Sequence, residues 1–154
     1  MSSENDKLSD GETWVPYYGV DIKITHPSAE FDTITQVLGL QPEYGWQAGM
    51  PRYTKNGSSM RGVSNLTYWG YGDDITEDRC FFGCAVELLT MLEDKQDFFK
   101  PLIATGGNVR LSVSLPGQGP IWDTIAAADL LRMGRLGVAL DLEVFPHMRR
   151  PEVG

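Results

Sequence analysis

The stretch Thr33-Ile34-Thr35-Gln36-Val37-Leu38-Gly39-Leu40-Gln41-Pro42, followed by Trp46 and Gly49, decides how the first half of this chain folds. Phe31, Ile34, Val37 and Leu38 fall at the three-and-four spacing that gathers apolar side chains on one side of an α-helix. Gly39 ends that helix, because a glycine just past the last turn takes the left-handed conformation that closes it and lets Leu40 fold back onto Ile34. Pro42 forbids resumption. Upstream, Pro27-Ser28 opens the helix, with Ser28 as the expected N-cap and Glu30 and Asp32 in a first turn that favours negative charge.

Outward from this helix the pattern changes to strands. Before it, Tyr18, Val20, Ile22 and Ile24 alternate with Gly19, Asp21, Lys23 and Thr25, the period of two that marks a half-buried strand. After it, residues 46–54 and 63–69 read as the two strands of a hairpin. Residues 55–62 form its loop, in which Asn56-Gly57 tolerates positive φ, and Pro51 confines the first strand to an edge or a bulge. An acidic loop is expected at 71–79. Cys84, Leu88, Met91 and Leu92 then return to helical spacing, and a second helical piece carries Phe98, Phe99, Leu102 and Ile103, with Pro101 in a first turn or at a kink. Val109, Leu111, Val113 and Leu115 alternate with Arg110, Ser112 and Ser114 in a further strand. The loop Pro116-Gly117-Gln118-Gly119-Pro120 leads to a helix from Ala126 to Leu136, ended by Gly137, and to a last strand from Val138 to Phe145.

The order strand, helix, strand, strand, helix, strand, helix, strand predicts an α+β domain. Its expected form is a ferredoxin-like, split βαβ antiparallel sheet with helices on one face, plus an appended helix and strand. A single domain over residues 14–146 is expected, with residues 1–13 a disordered acidic lead-in and residues 147–154 a flexible tail.

A chain of 154 residues with 42% hydrophobic and 22% charged content suits one domain with a substantial core. No apolar run is long enough to span a bilayer, and the start Met1-Ser2-Ser3-Glu4-Asn5-Asp6 lacks the basic-then-apolar pattern of a secretory signal. The expectation is a cytoplasmic protein, bacterial in style, with no membrane association. The formal charge of -8 concentrates at Glu4, Asp6, Asp10 and Glu12 and again at Asp73, Asp74, Glu77 and Asp78. Such patches argue against nucleic acid as a partner, since phosphate binding needs clustered Lys and Arg, and they admit a basic protein. As surface they need no function beyond solubility.

Cys80 and Cys84 are four residues apart on a helix, where Cβ atoms lie about 5–6 Å from each other, too far for a disulfide; two buried, reduced thiols are expected. His26 and His147 are isolated in sequence, so no zinc site is indicated, and His26 before Pro27 suits a turn. Asp73, Asp74, Glu77 and Asp78 lack the glycine and ligand spacing of a calcium loop. Ser58 and Ser59 carry no nucleophile-elbow pattern, and Gly117-Gln118-Gly119 is too short to cradle phosphates. No catalytic residue, metal or cofactor is assigned.

Aromatic area is concentrated in the hairpin and late loop: Trp46, Tyr53, Tyr68, Trp69 and Trp122. Such side chains serve cores and sheet edges as well as binding surfaces. Arg52, beside Pro51 and Tyr53, can fork onto a carboxylate or simply be a solvated edge residue. With these, Trp46, Arg52, Tyr53, Trp69 and Trp122 form the candidate set for a ligand or partner. Asp21, Asp141 and Glu143 sit on outward strand faces and would form a carboxylate cluster if the first and last strands were neighbours; cross-strand ion pairs with Lys23 account for the same residues.

The opening strand Tyr18-Gly19-Val20-Asp21-Ile22, the helix end Ile34-Thr35 through Leu38-Gly39-Leu40 with Pro42, then Trp46, Gly49, Trp69, Leu88-Leu89 with Leu92, and Leu136-Gly137 before Leu140-Asp141 together resemble the bacterial family called domain of unknown function 4279. The resemblance spans roughly residues 17–145 and implies neither an established activity nor catalytic residues. The expected function is a non-catalytic domain that binds a protein or small ligand, one version being an immunity-type protein that neutralises a basic toxin. The rivals are a small enzyme using Asp21, Asp141 or Glu143 as acid/base groups, which requires them to converge in a cleft, and a homodimeric structural module pairing through the hairpin edge.

Overall fold

The computed structural model describes residues 18–54, 56–75, 80–117 and 121–145; the expectations for residues 1–13, for 14–17, for Glu77 and Asp78 and for the tail from 147 lie outside them. The elements are β1 (Tyr18–His26), α1 (Phe31–Leu38), β2 (Tyr44–Trp46), β3 (Pro51–Tyr53), β4 (Ser59–Val63), β5 (Thr67–Ile75), α2 (Phe81–Leu92), a single 3-10 turn (Glu93–Lys95), α3 (Gln96–Ala104), β6 (Asn108–Pro116), α4 (Ala127–Leu136) and β7 (Val138–Phe145). Five strands make one mixed, mostly antiparallel sheet in the order β2-β5-β1-β6-β7, and β3 pairs with β4 in a small second sheet. β1 is antiparallel to both β5 and β6, β2 is antiparallel to β5, and β7 runs parallel to β6. The fold is α+β. No helix among the described residues is long and apolar enough to cross a membrane.

Alternation along the strands decides where the core lies. Val20, Ile22 and Ile24 of β1, Trp69 of β5, and Val109, Leu111 and Val113 of β6 are buried together with Ile34 of α1, Ala85, Leu89 and Leu92 of α2, Phe99 of α3 and Met133 and Leu136 of α4. All four helices therefore cover the same face of the sheet. The opposite face carries no helix among the described residues.

The long predicted strand at 46–54 is broken into β2 and β3, and the predicted loop at 55–62 contains β4. Side chains compete with the ladder here: the Ala48 N–H donates to Thr67 Oγ1 at 3.1 Å rather than to a strand carbonyl, and Gly49, with φ of 81°, turns the chain before Pro51. The hairpin resumes when Gly49 N–H donates to Ser64 O (2.7 Å) and Ser64 N–H to Met50 O (3.0 Å). β5 runs on through Ile75, where an acidic loop was expected. Backbone pairing explains this, since Asp73, Asp74 and Ile75 register with Val20, Gly19 and Tyr18 and occupy the free edge of β1.

The helix opening also differs. α1 starts at Phe31, and Ser28 is not its cap; the Ser28 and Ala29 N–H groups donate to Nδ1 of His26 at 2.9 and 2.8 Å, making a turn. The cap comes from Gln47. Its Oε1 accepts the Phe31 N–H at 2.7 Å while its Nε2 donates to Ala29 O at 3.1 Å and to Thr67 Oγ1 at 3.2 Å. The helix end is as expected: Gly39 has φ of 64° and donates to Thr35 O at 2.9 Å. Gly137 closes α4 in the same way, with φ of 75°. Pro101 lies inside α3 rather than in its first turn. Cys80, expected to be buried, is exposed at the N-cap of α2, whereas Cys84 one turn on is buried; they form no disulfide.

Removing the distant cap should matter more than removing the local one. Gln47→Ala is expected to destabilise the fold by about 1–2 kcal/mol, because it orphans the Phe31 N–H and removes one of the two donors to Ala29 O. Ser28→Ala should cost only a few tenths of that. Urea denaturation of the two variants checks this, and equal losses would contradict the assignment of the cap to Gln47.

Candidate functional site

The helix-free sheet face is built from the polar phase of every strand. Register sets its rows: Trp46, Tyr68 and Thr25 lie across from one another, then Tyr44, Gly70, Lys23, Arg110 and Ala139, then Gly72, Asp21, Ser112 and Asp141, then Gly19, Ser114 and Glu143. At the β2 edge the rings form a ladder. Trp46 stacks on Tyr68 with centroids 5.0 Å apart and planes at 21°, and the Tyr44 ring lies 5.6 Å from that of Tyr68, tilted by 30°. A Cβ at Gly70 would stand 2.3 Å from the Tyr44 ring, so only glycine lets that ring lie across β5. Burial raises the Tyr44 phenol above the usual tyrosine range, and the nearby charge of Asp21 and a hydrogen bond with Tyr68 push the same way.

Charges occupy the centre. Arg110 Nη1 donates to Asp141 Oδ2 at 3.0 Å, and Lys23 Nζ to Glu143 Oε1 at 3.4 Å. The first and last strands are not neighbours, because β6 lies between them and puts Ser112 between Asp21 and Asp141. The expected carboxylate cluster is therefore spread over two strand spacings, roughly 10 Å, and interleaved with two cations. Among the described residues no group of three His, Cys, Asp or Glu side chains is placed to hold a metal ion. The pairing of Lys23 with Glu143 is the ion pair weighed in the sequence. Pairs this exposed contribute about 0–1 kcal/mol, so they organise the face more than they stabilise it. Trp46 Nε1, Arg110 Nε and Ser112 Oγ, all on this face, are buried without a protein partner. An unpaired buried donor costs about 1–3 kcal/mol, which an added acceptor would recover.

The aromatic candidates are not all brought together. Trp46 faces the open side. Trp69 does not: it is wholly buried, faces Ile24 across the β1–β5 ladder, and donates its indole N–H to Thr35 Oγ1 at 3.0 Å. As adjacent strand residues, Tyr68 and Trp69 must point to opposite faces, and the core took the larger ring. Trp122 is 85% exposed in the segment leading to α4, where the neighbouring Asp123 Oδ2 accepts the Phe82 N–H of α2 at 3.0 Å. Arg52 and Tyr53 lie on the β3–β4 hairpin; Arg52 Nη2 donates to Arg61 O at 3.2 Å rather than forking onto a carboxylate, and Tyr53 is exposed. Tyr44, Arg110 and Ser112 were absent from the sequence candidates. Arg110 and Ser112 could have been found in the polar phase of their strand; Tyr44 lies before the stretch read as a strand.

An open groove of about 400 Å³ lies on the helix side, between the β1–α1 turn and α3, lined in part by His26, Glu30, Thr33, Phe98 and Thr105. His26 is structural there. Its Nδ1 accepts two backbone N–H groups, so Nε2 carries the proton and donates to Thr105 Oγ1 at 2.7 Å, which in turn donates to Pro101 O at 2.8 Å. Asp21, Asp141 and Glu143 are on the other side of the sheet from this groove. Compared with protein-family models, curated proteins and solved structures, the chain matches none.

The raised phenol of Tyr44 makes stability depend on pH in a defined direction. Its contribution is fully present below the unfolded tyrosine value of about 10 and falls as pH rises above it, because the unfolded chain then releases a proton that the folded one keeps. Tyr44→Phe should therefore flatten the alkaline loss of stability. Urea denaturation from about pH 8 to 11 measures it, and parallel pH profiles for the two proteins would refute the placement of this phenol.

Proposed function

We propose that this chain is a non-catalytic binding domain that takes a basic protein partner on its helix-free sheet face, at the ladder of Tyr44, Trp46 and Tyr68. The observation that carries this reading is the stacked aromatic edge next to a charged network on a face that no described helix covers. Rigid aromatic rings offer large contact area at little entropic cost, and the formal charge of -8 would speed encounter with a cation-rich surface. An immunity-type role, neutralising a basic toxin, is the specific version of this reading. The ferredoxin-like description of the domain is supported by the direction of β2, which runs with β1 while β5 lies antiparallel between them. The resemblance to domain of unknown function 4279 is compatible with it and adds no activity. The acid/base alternative draws no support from the geometry, since Asp21, Asp141 and Glu143 are ranged along an open sheet face and the last two are ion-paired.

Affinity capture from a lysate of the source cell at low ionic strength, followed by mass spectrometry, should recover a basic protein. Its binding should weaken with added salt and fall about tenfold or more for Trp46→Ala, with the fold intact by circular dichroism. Recovery of no such protein, or binding indifferent to Trp46, would remove the proposal.

A further inference from the structure

Among the described residues β7 is paired on only one of its two sides. It pairs with β6 from Val138 to Phe145, and among the described residues no strand lies beyond it. α4 covers only part of it. A ten-residue helix is about 15 Å long and an eight-residue strand about 26 Å, and Gly137 turns the chain directly from one to the other, so the helix runs out near residue 142. Burial follows this geometry: Val138 is 6% exposed, Leu142 55% and Val144 62%. On the other face of the same strand, Asp141 and Glu143 are held from the inner side by Arg110 and Lys23, and their side chains remain 31% and 42% exposed. From Leu140 to Val144 the edge thus presents apolar side chains on one face and carboxylates on the other, alternating residue by residue.

We propose that this edge receives an extended segment of the basic partner as a sixth strand, a segment in which Lys or Arg alternates with apolar residues. The inference rests on the reading of the chain as a binding domain for a basic protein and supplies its mode of recognition. Main-chain hydrogen bonds along the edge provide affinity, and the period of two provides specificity: apolar residues extend the core over Leu142 and Val144 while cations face Asp141 and Glu143. Charge selects the occupant. A second copy paired antiparallel across a two-fold axis would set Asp141 and Glu143 against the same carboxylates, which is destabilising. The chain's own leading segment, with Glu4, Asp6, Asp10 and Glu12, has the same sign. The opposite sheet edge, β2, is only three residues long.

The test uses the full chain and a capped synthetic peptide of about eight residues alternating Lys and Val, with an alternating Glu and Val peptide as control. Hydrogen exchange should show the outward-facing β7 amides, those not bonded to β6, slowed about tenfold or more by the Lys-Val peptide and unchanged by the Glu-Val peptide, with the effect reduced by salt. The double variant Asp141→Asn with Glu143→Gln, and separately Leu142→Ser, should each weaken binding about tenfold; both sites are partly exposed, and circular dichroism verifies the fold. No protection of β7, or equal binding by wild type and both variants, would overturn the proposal. So would outward-facing β7 amides already protected in the free monomer, meaning that the chain covers its own edge, or protected in a dimer seen by light scattering. If a basic protein is captured through Trp46 while β7 stays unprotected, this inference falls and the functional reading stands. If the peptide protects β7 but no basic protein is captured, the edge stands without that reading.

Discussion

The described structure is arranged around β1, the central strand of the five-stranded sheet. It meets β5 from Tyr18 to His26 and β6 from Gly19 to Thr25, and its apolar residues Ile22 and Ile24 are wholly buried. A slip of one residue in either register would put Asp21 and Lys23 into the helix layer and lift the isoleucines into water. The register therefore carries far more free energy than any single contact on the surface. Because β1 is central, its polar phase lies in the middle of the helix-free face, which is why Asp21 and Lys23 help to define that face.

A second constraint joins the two ends of the hairpin region to α1. Gln47 and Thr67 converge on Ala29 O, to which Thr67 Oγ1 donates at 2.6 Å, and Gln47 also closes the start of the helix. Polar groups that would otherwise be orphaned thus satisfy one another, at the expense of a regular strand between Trp46 and Pro51. The broken strand is the consequence of that arrangement. It leaves β2 short, and it sets Tyr44 and Trp46 beside Tyr68 at the edge of the sheet.

The two sides of the sheet differ in what they can do. The helix side is a packed core with an open groove at the β1–α1 turn, where His26 holds the turn. The other side combines stacked rings, ion pairs of modest strength and a few donors without a protein partner. At its far margin, β7 outlasts the helix that covers its beginning. The face thus has rings at one edge and, at the other, a strand in which apolar and acidic residues alternate.

Local sequence was enough to determine the alternation of strands and helices outside the hairpin region, both glycine-closed helix ends and the phase of β1, β6 and β7, because each of these depends on periodicity or on backbone freedom within a few residues. Even the ion pair between Lys23 and Glu143 was legible as a possibility from the polar phases of two strands. Tertiary structure alone decided which strands are neighbours, and so separated Asp21 from Asp141 by inserting Ser112. It also decided that Gln47 rather than Ser28 caps α1, and that Trp69 belongs to the core while Tyr68 faces outward. These are long-range choices: they are made by the pairing of backbone groups and by competition for buried volume between residues far apart in the chain, and no local pattern encodes them.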